Sequence, residues 1–205
     1  MGIPFQLVAG DNITLTLNEN GELIIASTGG GGGPVTGGSK EANPTWEAGK
    51  FAYPDTNPAP LNTRDITHGT VKEQLHDDTT TEGVQGTFRV PSDIKTDGLV
   101  NFKVFCSPVT AAAGRNVGYV FQHSACSDGV DVDQAFVSVQ SGDKAVSASQ
   151  DALSSIVWSE SVANLGWSAG DMCRFVLSRY SSGITNNLSG DLGTWFFEVD
   201  IERTE

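Results

Sequence analysis

The sequence predicts an all-β protein, an antiparallel β-sandwich of jelly-roll type preceded by an N-terminal β-hairpin arm and a Gly-rich linker. Three observations predict it. From Gly83 onward apolar residues recur at every second position, the period of a half-buried strand. Clusters of Ser, Asp, Gly and Pro interrupt these runs about every ten to twenty residues, the rhythm of an all-β fold. A glycine run beginning at Gly29 sets the first 28 residues apart.

The arm comes first. Ile13, Leu15 and Leu17 alternate with threonines, Asn20-Gly21 offers the positive-φ pair of a tight turn, and Leu23 with Ile25 returns an apolar face. Two strands alone are marginal in water, so these five aliphatics need a partner surface and are the expected attachment or oligomerisation element. Residues 1–28 make the arm, 29–45 the linker and 46–205 the sandwich domain. Gly-rich chain spans distance without fixing direction. Between residues 46 and 61, Pro54, Pro58 and Pro60 forbid a central strand while Trp46, Phe51 and Tyr53 require burial. An extended piece wrapping a sheet or a neighbouring subunit satisfies both.

Strands are expected at 84–90, 99–106, 116–123, 134–140, 152–159, 172–179 and 194–202, with a short one at 71–75. The last is the cleanest, since Phe197, Val199 and Ile201 alternate with Glu198, Asp200 and Glu202. Phe136 and Val139 are out of phase with each other. Residues 150–165 fit strand or helix, and Ser154, Ser155, Ser159 and Ser161 favour strand.

Charge and cysteine content narrow the function classes. Twenty-five acidic against 12 basic residues give a net charge of −13, which repels phosphates and anionic membrane surfaces; neither nucleic acid nor membrane is an expected partner. No apolar run approaches the roughly 20 residues that span a bilayer, and Met1-Gly2-Ile3-Pro4-Phe5 lacks the regions of a signal peptide. Cys106, Cys126 and Cys173 are odd in number and show no Cys-x-x-Cys spacing, so buried free thiols in a reducing compartment are expected, with a Cys106–Cys126 bridge as the open alternative.

Motifs for chemistry are few. His68, His76 and His123 sit in no metal or triad spacing, and His76-Asp77-Asp78 reads as an acidic surface turn beside a solvated histidine. There is no nucleophile elbow, no His-Glu-x-x-His and no phosphate loop. No cofactor and no catalytic residue are expected. Asp128, Asp131 and Asp133 are candidate oxygen ligands for a hard cation, set against an ordinary acidic turn. Trp46, Trp158, Trp167 and Trp195 raise sugar stacking, although core or interface packing is the expectation for each. Arg89, Arg174 and Arg179 are expected in subunit contacts or in surface pairs with carboxylates.

Two patterns carry a resemblance. Gly10-Asp11-Asn12-Ile13-Thr14-Leu15 with Asn20-Gly21-Glu22-Leu23-Ile24-Ile25 resembles β-segments of tailed-bacteriophage fibre and virion appendage proteins, placed ahead of a glycine-rich joint. Gly86-Thr87-Phe88-Arg89-Val90-Pro91-Ser92-Asp93, the run from Gly166 to Arg179 and the closing Val199-Asp200-Ile201-Glu202 are similar to small β-sandwich virion proteins of phage and prophage. The resemblance implies a non-enzymatic, homotrimeric surface protein of capsid-decoration, head-fibre or tail-appendage type, assembled in a host cytoplasm and bound to capsid or tail proteins. The alternative is a tail-fibre receptor-binding or carbohydrate-binding module that takes a host-surface glycan. An enzyme ranks last, because a thin sandwich of about 160 residues leaves little room for a deep cleft.

Overall fold

The computed structural model describes residues 43–54, 56–111, 116–180 and 187–204, together with the backbone of 13–17 and 23–27. The chain divides into two compact units, Met1–Lys40 and Glu41–Glu205. In the first, β1 (Ile13–Leu17) and β2 (Leu23–Ser27) pair antiparallel, with Leu15 opposite Ile25 and Leu17 opposite Leu23. Because alternate residues of a strand share a face, Ile13, Leu15, Leu17, Leu23 and Ile25 occupy positions on one face of the ribbon. The tight turn expected at Asn20-Gly21 and the glycine run lie outside the described residues.

The second unit is a two-sheet sandwich. Its elements are β3 (Thr45–Glu47), β4 (Leu61–Ile66), β5 (Gly69–His76), β6 (Gly83–Arg89), β7 (Leu99–Pro108), β8 (Asn116–Cys126), β9 (Val137–Gln140), β10 (Lys144–Ala145), β11 (Ser154–Ser161), α1 (Val162–Leu165), β12 (Met172–Tyr180) and β13 (Leu192–Ile201). One sheet runs β8-β12-β6, with β9 and β10 both on the far edge of β8. The other runs β11-β7-β13-β5-β4, with β3 also on β13. Apart from the β8–β9 step, the main strands from β5 onward alternate between the sheets. The resulting orders β5-β13-β7-β11 and β6-β12-β8-β9 are those of a jelly roll.

Each expected strand of the sandwich is present with shifted ends, and β3, β4 and β10 are additional. Residues 150–165 divide between strand and helix. β11 runs to Ser161, whose side chain caps a single helical turn by accepting from the Asn164 N–H, and Gly166 closes it in the left-handed region at φ 66°. The proline segment wraps a sheet edge: Ala52 bridges Gln85 and Pro58 bridges Gly83 along β6. Residues 43–45, read from sequence as the end of the linker, are bonded to β13, since Pro44 accepts from the Val199 N–H and Thr45 opens β3.

The core lies between the sheets, where Phe102, Phe121, Phe175 and Phe197 meet Trp158 and Trp167. Phe121 stacks on Phe175 at 5.4 Å and Phe102 on Trp158 at 5.2 Å. Burial of each such side chain contributes about 1.5–3 kcal/mol. Trp46 enters from β3 and packs on Phe175 at 4.6 Å and Phe197 at 5.6 Å. Gly86 makes room for it, as a Cβ there would stand 2.7 Å from the Phe175 ring and 2.9 Å from Trp46 Nε1. Cys106, Cys126 and Cys173 are all buried free thiols, so the Cys106–Cys126 alternative is not realised.

One end of the core is polar, which corrects two expectations. His76 is fully buried, not solvated: its Nδ1–H donates to the Glu82 carbonyl at 3.1 Å, and burial with the nearby Arg179 charge pushes its pKa down to about 4. Arg179 is also fully buried and meets carbonyls instead of a surface carboxylate. It donates to the carbonyls of His76 (3.1 Å), Gly190 (2.9 Å) and Leu188, tying the approach to β13 onto β12 and the end of β5.

Candidate ligand groove on the five-stranded sheet

The outer face of the β6-β12-β8 sheet carries the candidate site. On β12, Cys173, Phe175 and Leu177 enter the core, so the alternate Arg174, Val176 and Ser178 face outward. Register then builds rows across three strands. Thr87, Arg174 and Ser124 form one, and Gln85, Val176 and Gln122 form the next. Two walls rise from this floor. Pro54, Thr56 and Asn57 stand along β6, held there by backbone bonds between Ala52 and Gln85 and between Gly83 and Asn57. Phe136, just ahead of β9, stands on the β8 side with 43% of its surface exposed.

Two hollows of about 510 and 310 Å³ share Pro54, Thr56, Phe136 and Val176 and together make one groove. Their size is that of small-ligand sites. Several polar groups are already fixed. Gln85 Nε2 donates to the Tyr53 carbonyl at 2.8 Å, which leaves its side-chain oxygen as an acceptor. Arg174 Nη2 donates to Ser124 Oγ at 3.3 Å and to the Gln134 carbonyl at 3.5 Å, while its guanidinium lies 5.4 Å from the Phe136 ring centroid. Among the described lining residues there is no Asp, Glu or Lys.

A smaller hollow of about 220 Å³ adjoins Ser124 and Gln134 and reaches His123. Trp167 Nε1 donates to His123 Nδ1 at 3.2 Å; an indole only donates, so the neutral imidazole carries its proton on Nε2. That Nε2 is buried and has no hydrogen-bond partner among the described residues. Burial pushes the His123 pKa down to about 4.

Of the residues singled out in the sequence, Arg174 lies on the groove floor and His123 lines the adjoining hollow, while the others fall elsewhere. Asp131 Oδ1 accepts from the Asp133 N–H at 2.9 Å in an ordinary loop, and no group of three His, Cys, Asp or Glu among the described residues is placed to hold a metal, so Asp128, Asp131 and Asp133 do not converge on a site. Trp158 and Trp167 are core residues, Trp46 packs on the core, and Trp195 is half-buried with Nε1 donating to Ser107 Oγ. The aromatic ring exposed in the groove is therefore that of Phe136, not of a tryptophan. Arg174 pairs with no carboxylate among the described residues, and Arg89 donates to the Gly170 carbonyl. In the sequence Phe136 stands out only by being out of phase with Val139. Ile13, Leu15, Leu17, Leu23 and Ile25 belong to the first unit.

No protein-family model and no curated protein matches the chain. Among solved structures it is similar to an isomalto-dextranase of Arthrobacter globiformis T6, solved with panose, at 14% identity and a TM-score of 0.47 over 77% of this chain and 23% of that one. It is similar to a family 35 carbohydrate-binding module from an environmental isolate at 8% identity and a TM-score of 0.34, over 80% and 95% of the two chains. It is also similar to a protein of infectious bursal disease virus, Gx strain, at 6% identity and a TM-score of 0.34, over 97% and 37%. The chain thus spans under a quarter of the dextranase.

Proposed function

We propose that the sandwich is a non-enzymatic carbohydrate-binding module whose ligand lies across the groove over β6, β12 and β8. The observation that carries this reading is the exposed Phe136 ring beside a floor of side-chain amides, hydroxyls and one guanidinium. A pyranose presents apolar C–H groups on its face and hydroxyls on its edge. An aromatic ring packs on the first, and planar amide and guanidinium groups hydrogen-bond the second. Hydrolysis is not part of the reading. A glycosidase sets two carboxylates about the scissile bond, and the described lining of the groove offers none.

Glycan-array screening of the full chain, followed by titration with the best oligosaccharide, tests it. Phe136→Ala and Gln122→Ala are each expected to weaken binding about tenfold or more with little change in the thermal midpoint, since Phe136 is exposed and Gln122 is half-buried on the outer face of β8. Absence of binding to any glycan sinks the reading.

A second element concerns how the module is carried. The register of β1 and β2, with aliphatic positions gathered on one ribbon face, supports an arm that docks on another polypeptide, and with it a virion surface protein, homotrimeric, joined to capsid or tail proteins. Deletion of residues 1–28 is expected to leave a folded sandwich that no longer joins its particle or its sister copies. Retained particle binding and an unchanged mass by light scattering would overturn this element alone.

A further inference from the structure

Building on the carbohydrate reading, we infer that the groove selects saccharides bearing a carboxylate, with Arg174 as the residue that recognises it. The basis is the way this chain spends its cations. Arg64 meets Glu73 and Asp151, Arg203 meets Asp93, Lys50 meets Glu47 and Lys95 meets Glu202. Arg179 is consumed by backbone carbonyls inside the core. Arg174, like Arg89 at the Gly170 carbonyl, meets no carboxylate among the described residues, and it is the one cation among the described lining residues of the groove. It stands on the floor of the groove, its two hydrogen bonds are long, both leave from Nη2, and both go to neutral oxygens. Its Nε is buried without a partner, and Nη1 donates to nothing among the described residues.

The surroundings point the same way. In a chain of net charge −13, the described lining of this groove holds one cation and no carboxylate. Phe136 covers part of the guanidinium at 5.4 Å, which removes water from one side and strengthens what the other side attracts. Nη1 remains free to donate to a carboxylate oxygen, a charge-assisted bond that a neutral sugar does not offer. Thr87 and Ser124, in the same cross-strand row as Arg174, bring hydroxyls to either side of it. A uronate and a sialate share this chemistry, and the probes below separate them.

The experiment titrates the full chain by calorimetry with two matched pairs: trigalacturonate against its carboxyl-reduced form, and sialyllactose against lactose. At least one acidic member is expected to bind about tenfold or more tightly than its neutral partner, the size of a charge-assisted pair. Whichever pair shows the preference names the sugar. Arg174→Gln is expected to erase that preference while sparing the residual neutral affinity, and Arg174→Lys to keep only part of it. Equal binding of acidic and neutral members, both lost in Phe136→Ala, overturns the inference and leaves the carbohydrate reading standing; so does a preference that survives Arg174→Gln. Binding of none of the four sugars, with none on the array, removes both. If Arg174→Gln does not fold, the comparison of acidic and neutral sugars on the unaltered chain, with Arg174→Lys beside it, still decides.

Discussion

Arg64 on β4 and Glu73 on β5 face each other in two parallel hydrogen bonds, Nε to Oε1 at 2.9 Å and Nη2 to Oε2 at 2.7 Å, on the outer side of the six-stranded sheet. The pair is nonetheless buried. The 149–152 turn brings Asp151 onto Arg64, Asn62 donates to Glu73 at 3.0 Å, and Ser107 accepts from Arg64 at 2.9 Å. Glu73 lies over Gly193 of β13, where a Cβ would overlap its carboxylate.

Removing one partner leaves the other charge buried. Glu73→Gln takes away the bidentate partner and leaves Arg64 only the partly exposed Asp151 as a carboxylate partner, so it is expected to lower the urea midpoint more than replacing both residues by Leu and Met does. Gly193→Ala, which forces Glu73 aside, is expected to destabilise by a similar route. If Glu73→Gln and the double variant unfold at the same midpoint, the pair is not acting as a buried ion pair.

Acid should loosen the polar end of the core. His76 is neutral in the fold with its pKa down at about 4, against an ordinary value of 6.5, so the unfolded chain takes up the proton first. Its contribution is fully present above pH 6.5 and is lost as pH falls towards about 4; for a fully buried imidazole this is on the order of 3 kcal/mol. His123 acts in the same direction. Glu82 and Asp191 oppose it, since burial raises both carboxyls. The unfolding free energy is expected to decline between pH 6.5 and 4, and His76→Gln should flatten the slope. An unchanged slope in that variant would assign the acid response elsewhere.

Gly86→Ala places a methyl against the Phe175 ring and Trp46 Nε1. Over-packing of this kind costs about 1–3 kcal/mol, and it should expel Trp46 from between the sheets. A red shift of the native fluorescence together with a lower urea midpoint is the expected result. An unmoved spectrum would mean that β3 is not held by Trp46.

The thiols should be silent in the native protein. Burial pushes the Cys106 thiol up to about 12 and raises Cys173 as well, and all three cysteines are enclosed. A thiol-exchange reagent is expected to count none at neutral pH and all three after denaturation. Fewer than three in denaturant would reveal a bridge.

Legibility followed burial pattern. The strands around Phe102, Phe121, Phe175 and Phe197 could be read because each places one apolar face on a common core, and β13 most clearly of all. β4 could not: its enclosed residue is Arg64, so the apolar alternation that marks a strand is missing. β10 is too short, at two residues, to show any period. His76 and Arg179 looked like surface residues because sequence carries no record of the backbone carbonyls that receive them.

The sequence by itself determined the all-β class, the jelly-roll sandwich, the burial of the thiols and the apolar positions of the arm, all of which follow from local periodicity and turn chemistry. Only the tertiary structure decided the groove. Thr87, Arg174 and Ser124 stand far apart along the chain and become one row through strand register, and Phe136 faces them because the segment ahead of β9 folds against β8. Register is a long-range quantity, set by how two sheets close over a core, and no local pattern of residues contains it.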